Sequence, residues 1–183
     1  MAQKVILDID NALTIPVQDT DDALALALAL VSPELEILGC TTCAGNCRTP
    51  QSTLNTLRLL EAGGIQALPV AEGNPTALAR DREPHFRYLA SKTDGSGRRY
   101  WDNLPEPPDT RLAAHALPAA EFIIQTARRH PGEVSLVALG SLTNLALSLL
   151  EAPETAAQLK GVVHMGGSFD PLDGPPFVWQ TPD

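Results

Sequence analysis

Aromatic side chains are scarce in this chain, with two Trp, two Tyr and four Phe among 183 residues, so Ala, Leu and Val must do most of the packing. Positive charge is also short: 13 Lys and Arg stand against 22 Asp and Glu, a net charge of −9. A surface that binds a nucleic-acid backbone needs clustered Lys and Arg. The balance argues against nucleic acid as a partner but leaves room for a small polar substrate. Long apolar runs are missing. The longest, Ala23 to Val31, is too short to cross a bilayer. The N-terminus enters a strand bearing Lys4 and Asp8 rather than a secretory signal. These features predict a cytoplasmic protein with no membrane partner. Cysteine is limited to Cys40, Cys43 and Cys47, with no fourth Cys or nearby His to close a zinc or iron–sulfur site. They read as structural or incidental thiols.

What is present reads as one α/β domain over residues 1–183, long enough to bury roughly 70% of its unfolded surface. Five apolar runs are expected as buried parallel strands: Val5–Ile9, Leu35–Thr42, Ala67–Ala71, Val134–Leu139 and Gly161–Met165. Helices are expected over Asp22–Val31, Pro50–Ala62, Ala119–Arg129 and Leu142–Leu150. Strand alternating with helix predicts an open, mostly parallel sheet with flanking helices and right-handed crossovers. Residues 74–118 break this rhythm with Asp94-Gly95-Ser96-Gly97 and Pro105-Glu106-Pro107-Pro108, and read as a long loop or lid.

The strongest chemical signal lies between Lys4 and Asp22. The apolar strand Val5-Ile6-Leu7 runs into Asp8-Ile9-Asp10, and Asp19-Thr20-Asp21-Asp22 follows at the start of an Ala/Leu helix. Residues two apart on a strand share a face, so Asp8 and Asp10 project together from its carboxyl end. If the intervening loop folds back, Asp21 and Asp22 arrive beside them. Taken separately, each pair is explained by a helix cap or a turn. Four carboxylates in one pocket instead call for a hard divalent cation such as Ca²⁺ or Mg²⁺, or for catalysis. An EF-hand reading fails, because Leu13 holds the required glycine position and Asp19 replaces the bidentate Glu. Polar clusters follow the other strands too: Thr41-Thr42-Cys43-Ala44-Gly45-Asn46, Glu72-Gly73-Asn74, Gly140-Ser141-Leu142-Thr143-Asn144 and Met165-Gly166-Gly167-Ser168. Ligands of open parallel sheets bind at that edge.

In their order and strand-end placement these segments resemble the inosine–uridine-preferring nucleoside hydrolase family. The resemblance is carried by Val5 to Asp10 with Asp21-Asp22-Ala23, by Leu38 to Asn46, by Leu136 to Ala146 and by Val163 to Gly167. It implies a nucleoside-hydrolase-like α/β fold with a Rossmann-like core, and N-glycosidic hydrolysis of ribonucleosides to ribose and free base, within purine or pyrimidine salvage. Carried over residue by residue, Asp10 matches the calcium-bound general base. Asp22 matches a second Ca²⁺ ligand, and Thr143 one that binds through its main-chain carbonyl. Asp21 and Asn46 match contacts to the ribose hydroxyls, Met165 a residue lining the sugar pocket, and Asp8 a supporting aspartate. The implied partner is a small-molecule nucleoside, and assembly of identical subunits stays open.

The chain departs from the family pattern in three places. Asn11 to Thr20 separate Asp10 from Asp21 where the family has a short Gly turn, and this insertion is expected to loop outward. Ser91 stands near Asp94-Gly95 where an active-site histidine is common. Family members also continue past Asp183 into segments that hold further ribose contacts and a last calcium ligand. The chain therefore resembles the N-terminal part of such an enzyme, incomplete at its C-terminus, with weak or absent activity expected for it alone. Two alternatives compete. A haloacid-dehalogenase-type, Mg²⁺-dependent phosphatase would use Asp8 as nucleophile and Asp10 as acid/base, with Ser141, Lys160 and the Asp170…Asp173 pair in support. The other is a truncated homologue without catalysis.

Overall fold

The computed structural model describes residues 2–94 and 96–166. The parallel α/β expectation holds. Strands β1 (Gln3–Ile9), β2 (Leu35–Thr42), β3 (Val70–Ala71), β4 (Val134–Ala138) and β5 (Gly161–His164) form one sheet, every described pairing parallel, in the order β3-β2-β1-β4-β5. The first crossovers build outward from β1 through β2 to β3. The chain then returns to the other side of β1 with β4 and β5. The strand order thus reverses beside β1, which opens a crevice at the carboxyl ends of β1 and β4.

Alternation along β1 builds two apolar layers. Ile6 faces one layer with Val134, Leu136, Phe122 and Ile123, the last two from α4 (Ala119–Arg129). Leu7 and Ile9 face the other, with Leu26 from α1 (Asp21–Leu30) and Leu57 and Leu60 from α2 (Thr49–Ala62). The side of β1 that carries Ile6 also carries Asp8 and Asp10, so the acidic residues emerge just past one hydrophobic layer. Pro50 sits in the first turn of α2, where its missing N–H costs no helical bond.

Two strands differ from expectation. Only Val70 and Ala71 of the Ala67–Ala71 run pair with β2. β5 is exposed along its whole length rather than buried, because it is the edge of the described sheet. Within 74–118 the chain forms α3 (Glu83–Thr93) and a 3-10 turn at Ser96–Tyr100. The end of this stretch is tied to the sheet by His115 N–H donating to the Val70 carbonyl at 2.7 Å, and Ala119 N–H binds the Glu72 carbonyl at 2.9 Å. Helices α5 (Thr143–Glu151) and α6 (Thr155–Gln158) lie between β4 and β5. Among the described residues no helix is long and apolar enough to cross a membrane.

Candidate active site

Three carboxylates are buried where β1 ends: Asp8 at 0%, Asp22 at 2% and Asp10 at 6% exposure. Asp8 Oδ1 accepts from Thr41 Oγ1 at 2.7 Å and from Asn144 Nδ2 at 2.8 Å. Asp8 Oδ2 is buried without a partner. Burial pushes the Asp8 carboxyl up to about 7, against the pull of those two donors, and the neighbouring Asp10 charge adds to the rise. Asn144 also donates to the Thr42 carbonyl at 2.8 Å, so one buried amide links β2 to the base of Asp8.

Asp10 is held by main-chain groups. Its own N–H donates to Asp22 Oδ2 at 2.6 Å, and its Oδ2 accepts the Asn46 N–H at 2.5 Å. Gly45 and Gly140 press against the same carboxylate, and a Cβ at either position would collide with it. Asp22 stands in the first turn of α1, as the acidic start of that helix predicts. Its carboxyl is raised well above the ordinary range, first by burial and then by its hydrogen-bonded contact with Asp10. The other charge acting on it, that of Asp21, is also negative.

The Asn11–Thr20 insertion stays out of the sheet, but it does not simply loop outward. Its root, Asn11 and Ala12, is buried, and Asn55 Nδ2 donates to the Asn11 carbonyl at 3.1 Å. Its tip docks on α3, where Gln18 Nε2 donates to the Leu89 carbonyl at 3.2 Å and to Thr93 Oγ1 at 3.0 Å. Thr93 Oγ1 in turn donates to the Pro16 carbonyl at 3.3 Å. Thr14 and Val17 take left-handed backbone angles, φ 82° and 65°. Between the loop, α3 and the Gly45-Asn46 turn lies a cleft of about 470 Å³ with Asp10 in its wall.

The structure therefore brings Asp8, Asp10, Asp22 and Asn46 together. Asp21 is at the start of α1 but exposed, accepting the Asp22 N–H at 3.0 Å. Thr143 opens α5, its hydroxyl 3.4 Å from Ser141 Oγ, next to Asn144 and just after the Gly140 that touches Asp10. Met165 lies past β5, 53% exposed, and is not among the residues lining the cleft. Ser91 is exposed and bonds the Tyr88 carbonyl. The histidine that lines the cleft is instead His85, six residues earlier on α3, a residue that carries no motif in the sequence. Asn144 was visible only as part of a polar cluster, because its partners Asp8 and Thr42 lie more than a hundred residues earlier.

A hard divalent cation fits this donor set. Asp10 and Asp22 are buried carboxylates in contact, and the charges acting on Asp22 are negative; a cation relieves that repulsion. Among the described residues no three His, Cys, Asp or Glu side chains gather as a metal cage. Further ligands would have to be main-chain, water or substrate oxygens. Burial pushes the thiols of Cys40 and Cys47 up to about 12 and that of Cys43 higher still, so all three keep their protons at neutral pH. The phosphatase reading is corrected. Asp8 is enclosed and committed to Thr41 and Asn144, so it cannot reach a substrate as nucleophile. Lys160 bonds Gln3 Oε1 at the amino edge of the sheet, and Asp170 and Asp173 lie outside the described residues.

Comparison with known proteins agrees with this arrangement. The family described as inosine-uridine preferring nucleoside hydrolase matches residues 5–176. A probable uridine nucleosidase 2 of Arabidopsis thaliana is 37% identical over 167 residues, which are 91% of this chain and 48% of that protein. A pyrimidine-specific ribonucleoside hydrolase of Salmonella arizonae is 38% identical over 170 residues, 92% of this chain and 50% of that one. Among solved structures, a plant nucleoside hydrolase superposes with a TM-score of 0.69 at 34% identity, over 92% of this chain and 49% of its own. A purine-preferring ribonucleoside hydrolase from Gardnerella vaginalis gives a TM-score of 0.71 at 29% identity, over 91% and 49% of the two chains. The chain spans about half the length of the curated relatives it matches.

Proposed function

Because this chain belongs to the inosine-uridine preferring nucleoside hydrolase family, we propose that it carries the hydrolytic face of an N-ribohydrolase, which cleaves ribonucleosides to ribose and free base. The observation that carries the reading is the pinned Asp10 carboxylate, which lies in the wall of a cleft of nucleoside dimensions while its main chain is bonded to Asp22. A general base must be held within reach of the proton it removes. The Asn46 N–H and the two flanking glycines fix Asp10 for that task.

In this reading Asp10 takes the proton of the water that attacks the anomeric carbon. The C–N bond breaks with its electron pair leaving on the base, and positive charge builds on the ribosyl ring. Nearby carboxylates stabilise that charge in a site shielded from bulk water. Asn46 lines the cleft, and in this reading it and Asp21, at the exposed start of α1, contact the ribose hydroxyls. Asp8 acts as a positioning residue: through Asn144 and Thr41 it clamps the ends of β1 and β2 and the start of α5. Calcium, held by Asp10, Asp22 and the Thr143 carbonyl, would supply Lewis acidity toward water and the vicinal hydroxyls.

The test is release of ribose from inosine, uridine and cytidine in the presence of Ca²⁺. Ribose and free base should appear in equal amounts. Asp10→Asn and Asp10→Ala should each lower the rate by about a hundredfold or more. Ribose release that survives both substitutions would overturn the role of Asp10, and its absence with every riboside from a chain extended through the family's C-terminal segments would overturn the proposed activity.

A further inference from the structure

We propose that Asn55, on the buried face of α2, is a positioning residue for the proposed hydrolysis: its amide locks the Asn11–Thr20 insertion in the conformation that makes it a wall of the cleft. The proposal rests on the N-ribohydrolase reading. It adds a residue that does not line the cleft and belongs to no motif in the sequence.

Polar residues recur at helical spacing on α2, where Thr49, Ser52, Thr53 and Thr56, with Asn55 beside them, are all buried. A buried polar stripe has to find partners. Thr53 Oγ1 and Thr56 Oγ1 donate back to the Thr49 and Ser52 carbonyls of their own helix, at 3.0 and 2.8 Å. Ser52 Oγ donates to the Ile9 carbonyl at 3.3 Å. Asn55 reaches past the strand into the insertion. Its Nδ2 donates to the Asn11 carbonyl, and because a carbonyl can only accept, this contact fixes which way the amide points. Its Oδ1 then accepts from Thr14 Oγ1 at 3.0 Å and from Gln51 Nε2 at 2.9 Å. One amide therefore holds both the root of the insertion and its first bend.

Thr14 is where that hold matters. Its φ of 82° is a conformation that a β-branched residue rarely adopts and keeps only where its surroundings fix it. Three residues further on begins the run Val17-Gln18-Asp19, which lines the cleft together with Asp10. The bend at Thr14 sets where that wall stands, and Asn55 sets the bend. Gln18 ties the tip to α3, a helix with no buried residue. The Asn55 tie is made to a buried helix face.

A simpler account has Asn55 only satisfy a buried carbonyl, so that its loss lowers overall stability and leaves the wall alone. Hydrogen exchange of this chain separates the two, since the N–H groups of Leu13, Ile15 and Gln18 are all hydrogen-bonded within the insertion. In Asn55→Ala these amides should exchange about tenfold faster or more while the sheet amides keep wild-type rates. Thr14→Val removes only the hydroxyl of a half-buried side chain. It should speed the same amides severalfold, and it stands if Asn55→Ala does not fold. Thr14→Ser keeps the hydroxyl and should restore slow exchange, and the double variant should exchange no faster than Asn55→Ala alone. Unchanged exchange in the single variants, or acceleration shared by the whole sheet, overturns the lock. Kinetics with uridine, in a chain extended through the family's C-terminal segments, report the role in the reaction. Thr14→Val should raise KM about fivefold or more and hold kcat within about twofold, because the wall shifts while Asp10 stays pinned. Faster exchange with an unchanged KM overturns the positioning role and leaves the N-ribohydrolase reading standing. An extended chain that releases no ribose from any riboside overturns that reading and the role together, whatever the exchange rates show of the lock.

Discussion

A carboxyl group enclosed like that of Asp8 prefers to keep its proton. Its pKa in the fold, about 7, lies above the ordinary 3.8. The folded chain therefore holds a proton that the unfolded chain releases, and this contribution to stability is complete below about pH 4 and lost as pH climbs through 7. Over about three pH units the loss is on the order of 4 kcal/mol. Asp8→Asn keeps the shape and cannot ionise, so urea unfolding in EDTA should show a much flatter dependence between about pH 5 and pH 8 than the wild type; parallel curves would contradict the burial argument. Gly45 makes a second prediction. A Cβ there would strike Asp10, so Gly45→Ala should leave the chain folded yet weaken Ca²⁺ or Tb³⁺ binding, read by terbium luminescence, by about tenfold or more. Unchanged affinity would show that Asp10 does not hold the ion. Of these residues, the aspartates were legible in the sequence because they cluster within one strand and one helix start. Asn144 and Gly45 were not, since what they do depends on groups brought to them by the sheet.

Among the elements, those with a clear apolar period stand where the sequence puts them: β2 and α4 match to the residue, and the other expected helices shift by only one or two positions at their ends. Helix α3 has no buried residue, so no apolar stripe marks it in the sequence. It is held by polar and aromatic contacts instead, including Gln18 to Leu89 and Thr93, the Arg48–Glu83 pair at 2.6 Å, and Arg48 4.5 Å from the centre of the Phe86 ring. The loop that docks on it carries strain. Val17 is β-branched and sits at φ 65°, a conformation that costs about 1–3 kcal/mol in a non-glycine residue. Glycine removes that strain and costs about 0.5–1 kcal/mol in chain entropy. Val17→Gly should therefore stabilise the chain by about 1 kcal/mol in chemical unfolding. A loss of stability would mean that Val17 packing outweighs the backbone strain.

On the scale of the whole molecule, apolar groups lie open on both sides of the sheet: Val162, Val163 and Met165 along and just past β5, and Leu24, Leu28 and Val31 on and just past α1. An exposed edge strand with such side chains invites pairing with another chain. The expected outcome is that the chain associates through β5 as its concentration rises and that Val163→Lys suppresses this in sedimentation velocity while shifting stability by no more than about 0.5 kcal/mol; a chain that stays monomeric would contradict the expectation, and association that persists in the variant would place the contact elsewhere. The parallel sheet and its acidic edge were legible from alternating apolar runs. The openness of β5 was not, because composition shows that a strand is apolar and not whether another element covers it. The position of β1 at the centre of the sheet also sets an order of events in synthesis. It can pair with β2 early, but its other neighbour is β4, and the Asn144 amide that seats Asp8 lies 136 residues further along the chain. Contacts so distant in sequence form late and slowly. A nascent chain therefore carries its acidic strand half-paired while most of the protein is still being made, and the hydrolytic edge is among the last parts of the described fold to close.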